Sequence, residues 1–207
     1  APRGVRPRQP AEVAARAAPV QGTAVDLGVR ARRARHDVDR GDVAARMAEL
    51  CDIAAPLGIA VDIEFMPFRA VADLAAAIDV VARAARPNAH VLVDALHVFR
   101  SRSDLGLLAR TDPALLGTFQ LCDAGAVAPV DDAGLASEAR TRRMVPGEGA
   151  LDLAGLLAAL PDGLPLGLEV PLAGRFPAMQ PADRLAALVR ASRTYLRRGG
   201  SRRDHEE

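Results

Sequence analysis

Four polar residues stand at the downstream ends of short apolar runs: Glu64 after Val-Asp-Ile, Asp94 after Val-Leu-Val, Gln120 after Leu-Gly-Thr-Phe, and Glu169 after Leu-Gly-Leu. A short apolar run of this kind reads as a buried parallel strand. Oxygen donors at the C-terminal ends of successive parallel strands meet at one mouth when the strands form a barrel. Three carboxylates and an amide oxygen gathered in a low-dielectric site would raise one another's pKa values, and a divalent cation removes that repulsion. The all-oxygen set of Glu64, Asp94, Gln120 and Glu169 favours Mn2+ or Mg2+, with Co2+ as an alternative, over structural zinc with its nitrogen and sulfur ligands.

The elements between these residues must position them. Asp42 is placed to cap a helix with an apolar face of Val43, Met47, Leu50, Cys51 and Ala54, stopped by Pro56 and Gly58. Strands are expected at 59–65, 91–94, 118–121 and 166–170. Helices are expected at 70–85, around 104–109, at 151–160 and from Pro181 to Gly199-Gly200, with a long polar loop leading to Arg143. Strand and helix alternating at intervals of roughly 30 residues is the βαβ rhythm of a parallel sheet with helices outside. An open sheet binds at one switch point, whereas a barrel brings every strand end together, so four consecutive strands ending in polar donors favour the barrel.

At 207 residues the chain is long enough for one sizeable core, and one domain is expected. Its 27 basic and 26 acidic residues leave a net charge of +1, so no global field draws it to nucleic acid or to a membrane surface. Residues 1–40 are rich in Pro and Arg and read as a poorly ordered leader, with a weak strand at Thr23–Val29. No aromatic residues interleave its arginines, which speaks against a nucleic-acid-binding arm. Residues 41–199 form the barrel-type domain and 200–207 a frayed tail. Cys51 and Cys122 share no metal-binding spacing and read as buried reduced thiols, which suits a cytoplasmic protein. No apolar run reaches the ~18 residues of a membrane span, and no secretory signal core is visible.

The segments Ile63-Glu64-Phe65-Met66-Pro67-Phe68, Leu92-Val93-Asp94-Ala95-Leu96-His97 with Arg100-Ser101, Gln120-Leu121-Cys122-Asp123, Pro146-Gly147-Glu148-Gly149 and Leu168-Glu169-Val170 carry a resemblance. In this order they resemble the successive strand-end motifs of the xylose-isomerase-like TIM-barrel superfamily, the sugar phosphate isomerases and epimerases, over about Asp39 to Leu196. The resemblance implies a divalent-metal-dependent isomerase or epimerase that acts through an enediolate on a small polyhydroxy carbonyl compound. It implies Glu64, Asp94 and Glu169 as metal ligands, with the two glutamates exchanging a proton with the substrate carbon. It places His97 on a substrate oxygen as acid or base and Arg143 against the substrate. Arg100 and Arg102 are candidates for holding a substrate carboxylate or phosphate.

Gln120 stands where the epimerases usually carry a histidine; branches with glutamine there include dehydroshikimate dehydratases, so a metal-dependent lyase is the alternative. The DNA-repair endonuclease branch needs a histidine-rich zinc cluster that His36, His90, His97 and His205 do not supply, and His90 reads as structural. Asp123 fits either an acceptor behind the ligands or a loop cap, Pro146 to Gly149 a turn that positions Arg143, and Arg140 and Arg142 solvated positions. Eight βα units need ~240 residues. The resemblance therefore implies the C-terminal part of a (β/α)8 barrel with about the first three strands missing. Exposed barrel edges invite a homo-oligomer, and a catalytically silent truncated barrel is the remaining reading.

Overall fold

Aspartate side chains decide where the helices begin. The computed structural model describes residues 38–172 and 174–203. Asp39 caps α1 (Arg40–Ala54), Asp73 caps α2 (Leu74–Ala84) and Asp94 caps α3 (Ala95–Arg100). Asp104 caps α4 (Leu105–Arg110), Asp131 caps α5 (Asp132–Thr141) and Asp152 caps α6 (Leu153–Ala159). Each carboxylate accepts a backbone N–H that the helix leaves unpaired, worth about 1 kcal/mol, and its charge suits the positive end of the helix dipole. The last helix, α7, spans Pro181–Arg203.

Between the helices run β1 (Val61–Glu64), β2 (Ala89–Asp94), β3 (Leu116–Leu121) and β4 (Leu166–Leu168), hydrogen-bonded in that order and all parallel. The fold is α/β of TIM-barrel type, and the four described strands make a partial barrel whose β1 and β4 lie at the edges. The expected polar loop before Arg143 contains α5, because Asp131 caps it and the burial of Glu138 against Arg100 lets a polar helix face inward. The first helix takes Asp39 as its cap in place of Asp42, and α7 continues through Gly199-Gly200 to Arg203. The leader, its weak strand at 23–29, His36 and His205 lie outside the described residues. No helix among the described residues is long and apolar enough to cross a membrane.

Register decides what each face carries. Glu64 pairs with Leu92, Asp94 with Gln120, and Gln120 with Gly167, two residues before Glu169. Strand side chains alternate with period two, so Glu64, Asp94, Gln120 and Glu169 belong to one face. The opposite face presents Val91, Val93, Phe119 and Leu121, all buried in a core that also holds Leu74, Val80 and Leu156 from the helices. Each such side chain contributes about 1.5–3 kcal/mol by leaving water. The helices thus anchor one face and leave the other to polar groups, among them His90 and Asp62, whose Nδ1 and Oδ1 are 3.4 Å apart.

Past β3 the chain is tied by Asp123, which forms an antiparallel bridge to Met144 through N–H···O bonds of 2.9 and 2.8 Å. Its carboxylate accepts from the amides of Ala124, Gly147, Gly149 and Leu151 at 2.8–3.1 Å. Of its two readings, the loop cap is the one adopted. The bridge fixes Met144 and hence Arg143 beside it. Gly149 leaves no room for a Cβ, which would collide with the Asp123 carboxylate and the Ala124 carbonyl. Gly149→Ala is expected to cost about 3 kcal/mol through overpacking and broken hydrogen bonds, lowering Tm by roughly 6–12 °C. Gly125→Ala, with nothing within 4 Å of the new Cβ, should shift Tm by no more than about 2 °C in the same calorimetric scan.

Candidate active site

Asp94 ends β2 and caps α3, so its two oxygens face different partners. One accepts the His97 amide at 3.1 Å; the other accepts from Arg143 Nη1 at 2.5 Å. Both side chains of this ion pair are buried, at 0% and 2% exposure. Arg143 also donates from Nε to the Ala139 carbonyl at 2.9 Å and from Nη1 to Cys122 Sγ at 3.3 Å, and its Nη2 lies 3.5 Å from Glu169 Oε1. Burial by itself would lower the Arg143 pKa, but the negative charge of Asp94 beside it raises the value above the ordinary one. The guanidinium is a permanent cation inside the carboxylate cluster. Burial pushes the Cys122 thiol up to about 12, which fits a free, reduced, weakly polar neighbour.

The Gln120 amide lies between two carboxylates. Oriented by its surroundings, its NH2 donates to Asp94 Oδ2 at 3.1 Å and to Glu169 Oε2 at 2.8 Å. Ligation through its oxygen requires the amide to turn over. Glu169 is raised above the usual glutamate pKa, first by burial and further by Asp94, while Arg143 pulls the other way.

His97 sits at the third position of α3, and helical side chains slant back toward the N-terminus, so its ring returns to the strand ends. It is buried, at 1% exposure, and neither ring nitrogen has a hydrogen-bond partner. Nε2 lies 3.5 Å from Glu64 Oε1, and Phe68 packs edge-on against the ring with centroids 5.8 Å apart. Burial lowers its pKa to about 4, partly offset by Asp94. Near neutral pH the imidazole is uncharged and offers a lone pair.

Glu64, Asp94 and His97 bring ligand atoms within 4.8 Å of one another, a group that Glu169 does not join. The donors nearest one another are therefore two carboxylates and an imidazole, where the sequence expects oxygen alone. Such a mixed set fits a divalent cation, and its nitrogen admits Zn2+ beside Mn2+ and Co2+. Arg143 is paired with Asp94 and leaves Glu169 only partly compensated at 3.5 Å, and a carboxylate short of counter-charge suits a divalent ion.

A cavity of about 540 Å3 opens at the strand ends, and His97, Arg143 and Glu169 reach its wall with Phe68, Arg69 and Arg140. Glu64, Asp94 and Gln120 are not on that wall. Arg100 serves a different purpose from the expected substrate contact: its guanidinium is buried, bonded to both Glu138 oxygens at 2.7 and 2.8 Å and to the Gly125 carbonyl at 2.7 Å. Nor does Arg102 line the cavity; it takes a positive φ of 56°. Arg140, expected in solvent, borders the cavity from an exposed position on α5. The spacing Ala136, Ala139, Arg140, Arg143 repeats every three or four residues, the pattern of one helix face, and was the signal for these contacts.

Arg143→Met should leave Asp94 buried and unpaired, costing about 3–5 kcal/mol in urea unfolding of chelator-treated protein. The pH response isolates His97. Between its unfolded pKa near 6.5 and the folded value of about 4, only the unfolded chain takes up the proton, so stability falls as pH falls. Chelator-treated wild type should lose roughly 3 kcal/mol relative to His97→Gln between pH 7 and 4, read from paired denaturation curves.

The IolI protein with a bound zinc atom matches at a TM-score of 0.66 and 18% identity, over 84% of this chain and 60% of that one. An L-ribulose 3-epimerase matches at 0.55 and 17%, over 81% and 56%. The probable 3-DHS dehydratase AsbF of Bacillus anthracis, involved in petrobactin synthesis, matches at 0.53 and 16%, over 66% and 53%. This chain thus spans less than two thirds of each, and at these identities the likeness is one of fold. Comparison with curated proteins found no match. A family model described as a xylose isomerase-like TIM barrel matches residues 12–197, and the chain belongs to that family.

Proposed function

We propose that this chain carries the site of a divalent-metal-dependent isomerase or epimerase, which moves a proton on the carbon beside the carbonyl of a small polyhydroxy compound. The observation that carries this reading is the joint placement of Glu169, with its raised pKa, and the buried neutral His97 on one cavity wall, with Glu64 and Asp94 behind them. Glu64, Asp94 and Glu169, with Gln120 through its oxygen once the amide has turned, would hold the cation. When bound, Mn2+, Mg2+ or Co2+, or the Zn2+ that His97 admits, would grip adjacent substrate oxygens and acidify the C–H between them.

Glu169 takes the proton from carbon, for which a carboxylate raised by burial is a better base than an exposed one. Glu64, on the far strand of the sheet, would enter the cycle protonated and give its own proton to the enediolate, while Glu169 keeps the one it removed. His97 donates to the oxygen on which negative charge develops, since a neutral imidazole carries a proton it can share. Arg143 stays charged throughout, holding Asp94 in place and keeping Glu169 from becoming too strong a base to release its proton. Phe68 limits rotation of the His97 ring.

Gln120 favours one further reading. An amide there leaves His97, among the described residues, as the one imidazole on the cavity wall. A single acid beside a hydroxyl leaving group suits a lyase, in which the same carbanion expels the hydroxyl that His97 protonates.

Incubation of metal-loaded protein with candidate ketoses and hydroxy-keto acids in deuterated water is expected to label the carbon beside the carbonyl. Glu169→Gln should slow this at least ~1000-fold and His97→Gln roughly 100-fold or more. An ultraviolet-absorbing unsaturated product would select the lyase. Tight metal binding with neither labelling nor elimination on any of these compounds would sink both readings.

A further inference from the structure

The cavity wall carries two guanidinium groups that the proton-transfer reading leaves unused, and they deepen that reading. Arg69 follows β1 and Arg140 lies near the end of α5. Among the described residues neither has a carboxylate within ion-pair distance, whereas the buried arginines are committed, Arg143 to Asp94 and Arg100 to Glu138. Among the described residues Glu169 is the one acidic group on the wall, and it lies 3.5 Å from an Arg143 already paired with Asp94. Two guanidinium groups on the wall are therefore left without an ion-pair partner.

Their placement is ordered. The Arg69 guanidinium stands over the Phe68 ring at 5.6 Å, and Phe68 in turn packs edge-on against His97. Arg69 is thus held about one aromatic ring away from the imidazole. The remaining wall includes Ala136, Leu168, Val170 and Pro171, whose side chains offer nothing to the hydroxyls of a long neutral sugar. A ligand that satisfies this cavity has carbonyl and hydroxyl oxygens for Glu169 and His97 and an anion for the two arginines. A guanidinium fork binds either of two such anions, carboxylate and phosphate.

We infer that the substrate is a short hydroxy-carbonyl compound with a terminal carboxylate or phosphate, held by Arg69 and Arg140 on the wall they share with Glu169 and His97. The inference rests on the proton-transfer reading for which end of the ligand reacts. The arginine subsite has its own readout.

Titration calorimetry of the metal-loaded full chain with D-glycerate, glycerol 3-phosphate and glycerol compares a carboxylate, a phosphate and a neutral molecule on one three-carbon skeleton. At least one anion is expected to bind about tenfold or more tightly than glycerol, and the tighter of the two identifies the anion. Arg69→Gln and Arg140→Gln should each weaken anion binding about tenfold, with metal content and glycerol binding unchanged. Arg→Lys at either position should recover part of the loss. Glycerol binding as tightly as both anions, or anion affinity indifferent to both substitutions, overturns the inference. Deuterium labelling in the same samples separates the two ideas: arginine-dependent anion binding without labelling retires the proton-transfer reading and keeps the subsite. Labelling of a carboxylated or phosphorylated hydroxy-carbonyl compound at a rate unaffected by either substitution keeps that reading and overturns the subsite.

Discussion

The buried pair of Asp94 and Arg143 is the constraint on which the rest of the site depends. Neither charge could stay in this interior without the other, because an isolated ion there would forfeit several kcal/mol of hydration. The pair also fixes geometry. Asp94 belongs at once to the end of β2 and the start of α3, while Arg143 follows α5 and reaches Cys122 and Glu169. A second buried pair, Arg100 with Glu138, runs between the same two helical segments. Residues 94 and 100 are thus clamped to 143 and 138, and two points are enough to set α5 along α3. The helix that carries Arg140 to the cavity is placed by charge more than by apolar packing: its buried residues are Glu138 and Ala139.

The parts of this arrangement governed by local rules were legible in the sequence. Apolar runs ending in Glu64, Asp94, Gln120 and Glu169 gave the parallel strands and the shared face, because period-two alternation acts within each strand. The three-residue step from Asp94 to His97 was readable for the same reason, as a cap and the third residue of the helix it starts. Pairing across long separations was not readable. Arg100 looks like a free cation until Glu138 arrives from 38 residues away, and the Arg143 partner lies 49 residues away. Helix α5 was hidden because a helix held by buried ion pairs has no apolar stripe to reveal it. The imidazole among the donors, where oxygen alone was expected, follows from the slant of α3, which returns the His97 ring toward Glu64.

An internal arginine changes how a carboxylate-rich site handles charge. Without it, Glu64, Asp94 and Glu169 would repel until one took up a proton. With it, the site tolerates ionised Asp94 at its centre while leaving Glu169 only partly compensated, at 3.5 Å from the guanidinium. That asymmetry divides labour among chemically similar groups. One carboxylate is pinned by its ion pair, and another, its pKa raised by burial, is less fully compensated.

The strand order also bears on how the site is made. Because β1, β2, β3 and β4 are neighbours in the sheet as they are along the chain, each new strand docks on the one before it, and no closure has to reach past an intervening strand. During vectorial synthesis the sheet grows by accretion, with no need to insert a strand between two already paired. Glu64 and Asp94 emerge first, and Gln120 follows. Arg143 is synthesised before Glu169. The counter-charge is on hand before the last carboxylate joins, so the growing edge need not bury three like charges at once.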